Sequence, residues 1–243
     1  MKNKTPDFAY HMTKFFTEYL PIQRNLSPNS IATYRDTFRL LLLFYDTEKH
    51  IKPNLLTLDM LNVQQIEDFM LWLKKERNCG ASTCNQRLGA LKSFFRYLQF
   101  ALPDCALQCQ ENLAIRPMKQ PEPGLKYLTI DGIKLLLEQP DIKTKYGRRD
   151  LAILSLMYDT GARVQEIADI KIVHIRFSAP ATIRITGKGD KTRVVPLLSR
   201  TEDILKQYIK DFKIDAGGND AYLFQNRSGQ QLSRFGISYI LTK

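Results

Sequence analysis

Four runs of apolar residues at helical spacing fill the first hundred positions, and they restrict what this chain can fold into more than any other feature. Phe8, Met12, Phe15, Phe16 and Tyr19 form the first run. Ser27 followed by Pro28 opens the second: the serine can cap a helix and the proline suits its first turn. Ile31, Tyr34, Phe38, Leu41, Leu42 and Tyr45 then fall on one face. Val63, Ile66, Phe69, Met70 and Leu73 mark a third, and Ser82 or Thr83 can start a fourth that carries Leu88, Leu91, Phe95 and Leu98. No helix can bury its own stripe, so the stripes must pack on one another. A small helical bundle is the simplest solution, with these aromatics in its core.

Between Arg116 and Tyr127 the helical pattern breaks into Pro117, Pro121, Pro123 and Gly124, the composition of a stiffened linker. This predicts a helical domain over residues 1–117, a linker over 118–126 and a second domain over 127–243. The second half is mixed. Thr129 can cap a helix that turns Ile130, Ile133, Leu136 and Leu137 inward; a second helix covers 150–158 and ends at Thr160-Gly161, and a third covers 163–170. Residues 182–186 and 192–196 alternate as two strands about a turn at 187–190. A helix over 201–212, a short apolar stretch at 222–224, a turn at Ser228-Gly229 and a helix beginning near Phe235 complete the reading. The predicted fold is mainly α with a small antiparallel β-hairpin.

Composition narrows the partners. The 243 residues carry a net charge of +11, distributed through both halves. A basic surface of this kind draws in phosphates and favours a nucleic-acid partner through counterion release, the alternatives being a merely soluble basic protein or a membrane-surface binder. No stretch approaches the length of apolar sequence that spans a bilayer, and no apolar segment follows the basic N-terminus. The expectation is therefore a cytoplasmic protein with no membrane partner. Cys79, Cys84, Cys105 and Cys109 could form a four-thiolate zinc site, but a long amphipathic helix separates the pairs, and ordinary reduced thiols are the reading adopted, with no metal.

Two places carry chemistry. In Thr160-Gly161-Ala162-Arg163, the glycine permits a sharp turn, so Arg163 enters the first turn of the next helix, where backbone amides favour an anion. Its planar guanidinium suits two phosphate oxygens, and Glu166, three residues on, can hold it in place. The same pair also suits a plain surface ion pair. In the turn, Gly187 and Gly189 flank Lys188, which has the reach of a general acid, and Lys191 and Arg193 can add phosphate contacts. A solvated basic turn is the alternative. Arg87, Lys92 and Arg96 on the fourth helix, with Lys74, Lys75 and Arg77 ending the third, can lie along DNA phosphates or simply face water.

Taken in order, these parts resemble the tyrosine recombinases, the phage-integrase and Xer-type family. Residues 27–34 (Ser27 to Tyr34) and 83–91 (Thr83 to Leu91) resemble its core-binding domain. Tyr127-Leu128-Thr129 resembles the opening of its catalytic domain, and residues 159–167 its first-arginine motif. Residues 187–196 resemble its lysine hairpin, and residues 222–224 with Gly229 the segment that follows. The resemblance implies a SAM-like helical core-binding domain ahead of an α+β catalytic domain. It further implies strand cleavage and rejoining through a 3′-phosphotyrosine without metal, ATP or other cofactor, with positioned cations stabilising the pentacoordinate phosphate. By it, Arg163 clamps the phosphate, Lys188 protonates the departing 5′ oxygen, and Glu166 is structural.

The family's His-x-x-Arg motif and nucleophilic tyrosine find no match among His11, His50, His174 and Tyr239. The expectation is an incomplete, C-terminally truncated catalytic domain, unable to cleave alone. The alternative is a non-catalytic DNA-binding regulator or remnant that occupies recombination sites, as a homo-oligomer or paired with a full-length recombinase. His174 is expected to be an exposed loop residue.

Overall fold

A computed structural model describes residues 7–120, 124, 127–214, 218, 220–242. The chain divides into two compact units, residues 1–124 and 125–243. Pro121 and Pro123, on which the linker reading partly rests, lie outside the described residues.

The first unit is helical: α1 (Phe8–Lys14), which widens into a π-helical segment over Phe15–Gln23, then α2 (Pro28–Glu48), α3 (Val63–Lys75), α4 (Ala81–Ala101) and α5 (Ala106–Ala114). Ser27 caps α2 by accepting the Ser30 amide at 3.3 Å, with Pro28 at the first position where its missing N–H costs nothing. Asn62 caps α3 through the Gln65 amide at 3.0 Å. Ser82 and Thr83 do not cap α4; it begins one residue earlier, at Ala81, behind Gly80. Helix α5 is not among the predicted elements, because Leu107, Cys109 and Leu113 make too sparse a stripe. It is fixed by polar contacts instead: the buried Asn112 side chain donates to the Leu61 carbonyl at 2.8 Å.

The apolar stripes meet as required. Phe8, Phe15, Phe38, Phe69, Phe94 and Phe95 are fully buried or nearly so. Phe15 sits among the rings of Phe16, Tyr19, Tyr34, Phe38, Phe94 and Tyr97, all with centroids between 5.1 and 6.4 Å away. Cys84 and Cys109 are buried, Cys79 and Cys105 are half-buried, and no disulfide joins any of the four. Among the described residues no group of three or more His, Cys, Asp or Glu is placed to hold a metal, and no helix is long and apolar enough to cross a membrane.

The second unit combines α6 (Ile130–Glu138), α7 (Lys145–Thr160), α8 (Val164–Ala168), α9 (Ser199–Phe212) and α10 (Arg234–Thr242) with a small antiparallel sheet. Its strands β1 (Ile175–Arg176), β2 (Thr182–Thr186) and β3 (Thr192–Pro196) lie in the order β1-β2-β3. The β2–β3 hairpin pairs Thr186 with Thr192 and Ile185 with Arg193, as the alternating pattern predicts. Ile183 and Ile185 face the core with Ile153, Leu156, Ile167, Leu205, Tyr208 and Phe224. The two-residue strand β1 is too short to leave a periodic signal.

Helix α6 departs from expectation. Thr129 does cap α6, through the Gly132 amide at 3.1 Å, but no α6 side chain is fully buried. Ile130 is 72% exposed, and Ile133, Leu136 and Leu137 are only half-buried. Helix α10 forms where expected, with Ile237 buried and Phe235 and Tyr239 exposed.

Candidate phosphate-binding site

The site is built where α7 hands over to α8. Thr160 closes α7, its hydroxyl donating to the Leu156 carbonyl, and Gly161 takes the left-handed conformation (φ 59°) that ends the helix. A residue with a Cβ resists that conformation, which is why a glycine stands there. The chain then extends through Ala162, and Arg163 occupies the position just before α8 (φ −71°, ψ 154°). The predicted helix over 163–170 is therefore a single turn, and Arg163 precedes it rather than entering it. The Arg163 amide is also not free for an anion: it donates to Glu166 Oε2 at 3.0 Å. A glutamate in the third helical position reaches back to cover that donor.

Glu166 is the hub. Its side chain is only 5% exposed and accepts from three donors: the Arg163 amide, Arg163 Nη1 at 2.9 Å and Arg193 Nη2 at 2.8 Å. The Arg193 hydrogen bond is the largest influence on its carboxyl. Burial opposes it, and the two Arg163 bonds reinforce it, so the pKa falls to about 2. The folded value lies below the unfolded one. The stabilisation is therefore complete above the usual carboxylate range and is lost as pH falls through about 2. Acid titration followed by circular dichroism should show Glu166→Gln removing on the order of 2 kcal/mol of stability at pH 7 and little near pH 2. Equal destabilisation at both pH values would contradict the ion-pair account.

Arg163 is held at one end only. Its side chain is 76% exposed, and among the described residues Glu166 is its sole ion-pair partner. The rest of the guanidinium fork faces water, in the geometry that grips two oxygens of an anion. Lys188 and Lys191 are exposed, and neither ammonium has a hydrogen-bond partner among the described residues. The turn that carries them closes through the Gly187 amide to the Lys191 carbonyl at 2.8 Å, with Gly189 (φ 73°) and Asp190 (φ 61°) left-handed.

Gly187 connects the two halves of the site. A Cβ added there would lie 2.6 Å from Glu166 Oε1, the oxygen that pairs with Arg163. The root of the lysine turn thus rests directly on the carboxylate that anchors the arginine. Gly187→Ala is expected to cost about 1–3 kcal/mol by overpacking against a carboxylate pinned by three donors. Gly189→Ala meets open space and should cost about 1 kcal/mol from its positive φ alone. Thermal melts of the two variants compare the effects directly, and a larger loss at Gly189 would refute the contact argument.

The remaining predicted residues fare differently. Arg193 is occupied by Glu166. Lys92 donates to the Ile115 carbonyl at 2.6 Å, and burial, then the nearby Arg96, lower its pKa; it braces the chain after α5 rather than standing free. Arg96 is exposed, while Arg87 is half-buried with its Nε lacking a partner. Arg87 and Arg96 are nine positions apart, about 180° around a helix turning 100° per residue, so Arg87, Lys92 and Arg96 do not share one face. His174 is a half-buried residue, not an exposed loop one. Its Nδ1 accepts the Lys171 amide at 3.2 Å, and burial, then Arg184 and Lys171, lower its pKa.

The Arg193–Glu166 link and the packing role of Gly187 are not among the sequence-based expectations. Strand alternation, which puts Arg193 opposite the buried Ile185, is the signal that could have suggested the first.

Known proteins match both units. The phage integrase family model matches residues 126–243, and the model of the phage integrase N-terminal SAM-like domain matches residues 14–100. A protein of Sinorhizobium fredii designated integrase/recombinase y4rC is 34% identical over 240 residues, covering 99% of this chain and 71% of that protein. Tyrosine recombinase XerD of Listeria innocua is 31% identical over 232 residues, covering 93% of this chain and 74% of the relative. The fold is shared with a lambda integrase dimer bound to a COC′ core site (TM-score 0.69, 13% identity, 97% of this chain and 62% of that one). It is also shared with XerH bound to its difH substrate before cleavage (TM-score 0.62, 23% identity, 90% of this chain and 65% of that one). The chain is thus matched along nearly its whole length by integrases and tyrosine recombinases, and it belongs to the tyrosine recombinase (phage integrase) family.

Proposed function

We propose that this chain binds duplex DNA and holds one phosphodiester between Arg163 and Lys188, as a protein of site-specific recombination. The observation that carries this reading is the shared anchor: Arg163 is fixed from one side by Glu166, and the turn bearing Lys188 is seated on the same carboxylate. Arg163 would grip two non-bridging oxygens and stabilise the charge that develops on a pentacoordinate phosphorus, with no metal required. Lys188 would deliver a proton to the departing 5′ oxygen. Lys191, and in the first unit the exposed Arg96, would add backbone contacts that position the duplex without reading its sequence.

The attacking group is not assigned. None of the three histidines is followed three residues later by an arginine: those positions hold Lys14, Pro53 and Phe177. Tyr239 is exposed on α10 but has no partner that would activate it among the described residues. A polypeptide of these 243 residues is therefore proposed to bind without cleaving, and to act on DNA alongside other subunits. The lambda integrase in the matching structure is a dimer on its core site, which supports pairing as part of the same reading.

The test is fluorescence anisotropy with a labelled duplex across a salt series, together with a nicked suicide duplex analysed on a denaturing gel. Binding should weaken steeply between about 50 and 200 mM salt, each phosphate contact contributing about 0.9 to the logarithmic slope. The suicide duplex should remain unattached. Salt-independent binding would reject the phosphate reading, and a covalent adduct would reject the non-cleaving one.

A further inference from the structure

We infer that Arg193 is a positioning residue that holds the Lys188 turn on α8 through Glu166, and is not itself a phosphate contact. The inference deepens the proposed function and rests on Lys188 meeting a phosphate.

Three observations lead to it. The first is direction. Arg193 pairs across the ladder with Ile185, and Val195 with Ile183, and cross-strand partners share a face of the sheet. Ile183 and Ile185 are buried, so Arg193 lies on the inward face of β3, while its neighbour Val194 is 63% exposed on the other. On that face the Arg193 side chain is half-buried and directs Nη2 at an internal partner.

The second is what it meets. Arg193 Nη2 lies 2.8 Å from Glu166 Oε2, on a carboxylate that is 5% exposed. The Arg193 side chain is 39% exposed against 76% for Arg163, and turning it out toward DNA would leave a buried carboxylate with one donor fewer, an arrangement that folded proteins avoid.

The third is leverage. Far from the turn, the chain leaving β3 is tied down by two backbone donors: Leu197 to the Ala181 carbonyl at 2.9 Å and Leu198 to Asp159 Oδ2 at 2.8 Å. Near the turn, Arg193 is one ladder pair from the Thr186–Thr192 pair and two residues from the closing Gly187–Lys191 bond. Arg193 and Leu198 are therefore separated by about 17 Å of strand. With Arg193 removed, the turn end of β3 keeps its ladder with β2 and loses its side-chain tie to α8, so the turn that carries Lys188 is held less closely to Glu166. The Gly187 contact presses the turn against Glu166, and Arg193 keeps Glu166 where that contact needs it.

A double-substitution cycle tests this in the full 243-residue chain. Duplex affinity and its salt slope are measured by anisotropy for the parent, Arg193→Ala, Lys188→Ala and the double variant. The expected result is that either single substitution weakens binding roughly tenfold and lowers the slope by about 0.9, and that the double variant matches Lys188→Ala alone. A residue that merely stabilised the fold would lower the melting temperature without changing the slope. Arg193→Met, which keeps the aliphatic stem, replaces the alanine variant if that one does not fold. Full additivity, with a further slope drop of about 0.9 in the double variant, would make Arg193 a phosphate ligand and overturn the inference. If Lys188→Ala alone leaves affinity and slope unchanged, the phosphate role of Lys188 fails first, and that single variant tells the two failures apart.

Discussion

Replacing both Arg163 and Lys188 by alanine is expected to weaken duplex binding on the order of 100-fold at moderate salt and to lower the salt slope by roughly 1.8. The slope follows from two lost phosphate contacts at about 0.9 each, and the affinity from two charge-assisted hydrogen bonds partly offset by their hydration. Folding should be little affected, because both side chains are exposed and substitutions at such positions usually shift stability only slightly. Glu166 would still accept from the Arg163 amide and from Arg193, so the hub survives the loss of one of its three donors. Anisotropy across a salt series, with a thermal melt as control, measures both quantities. An unchanged slope would mean that DNA binds elsewhere on this basic chain, and that the arginine turn and lysine hairpin are a surface ion pair and a solvated loop.

The second large effect lies in the first unit. Phe15→Ala should destabilise that unit by about 3–5 kcal/mol, the cost of removing a buried aromatic ring and leaving a cavity. Phe15 is fully buried, and its ring contacts come from its own π-helical segment (Phe16, Tyr19), from α2 (Tyr34, Phe38) and from α4 (Phe94, Tyr97). Such a cavity is lined on every side by rigid rings and collapses poorly, which favours the upper part of the range. Calorimetry should show a transition falling on the order of 10 °C, and duplex affinity should fall with it as α4, which carries Arg96, loses its seat. Tyr10→Ala makes a matched control: that ring is 57% exposed and should cost far less. Similar losses for the two would mean that the ring cluster does not carry the stability assigned to it.

Both effects are partly legible in the amino-acid sequence. The stripe containing Phe15 repeats at helical spacing, and a repeat of that kind reports burial whatever lies on the other side. It does not report the winding: the expected single helix passes into a π-helical segment at Phe15, with Pro21 inside it. The caps at Ser27 and Thr129 are legible because the donor they satisfy is three residues away. The cap at Gly80 is not, since it uses no side chain. Helix α5 lacks a strong stripe and is fixed by Asn112 reaching the Leu61 carbonyl, a partner 51 positions away that no local pattern encodes.

The same division runs through the site. By itself the sequence determined the helical character of the first unit and the β2–β3 hairpin with its register. It also determined the turn at Gly161 and the pairing of Arg163 with Glu166. Each of these depends on residues close together in the chain or on a period that local geometry imposes. Only the tertiary structure decided that Arg193 pairs with Glu166 and that Lys92 braces Ile115. Only the tertiary structure decided, too, that Gly187 is small because Glu166 lies beneath it. These are contacts between segments some 20 or more residues apart, where an exposed and an occupied charge look identical in one dimension. What separates them is which buried carboxylate or carbonyl lies within hydrogen-bond reach once the chain has packed.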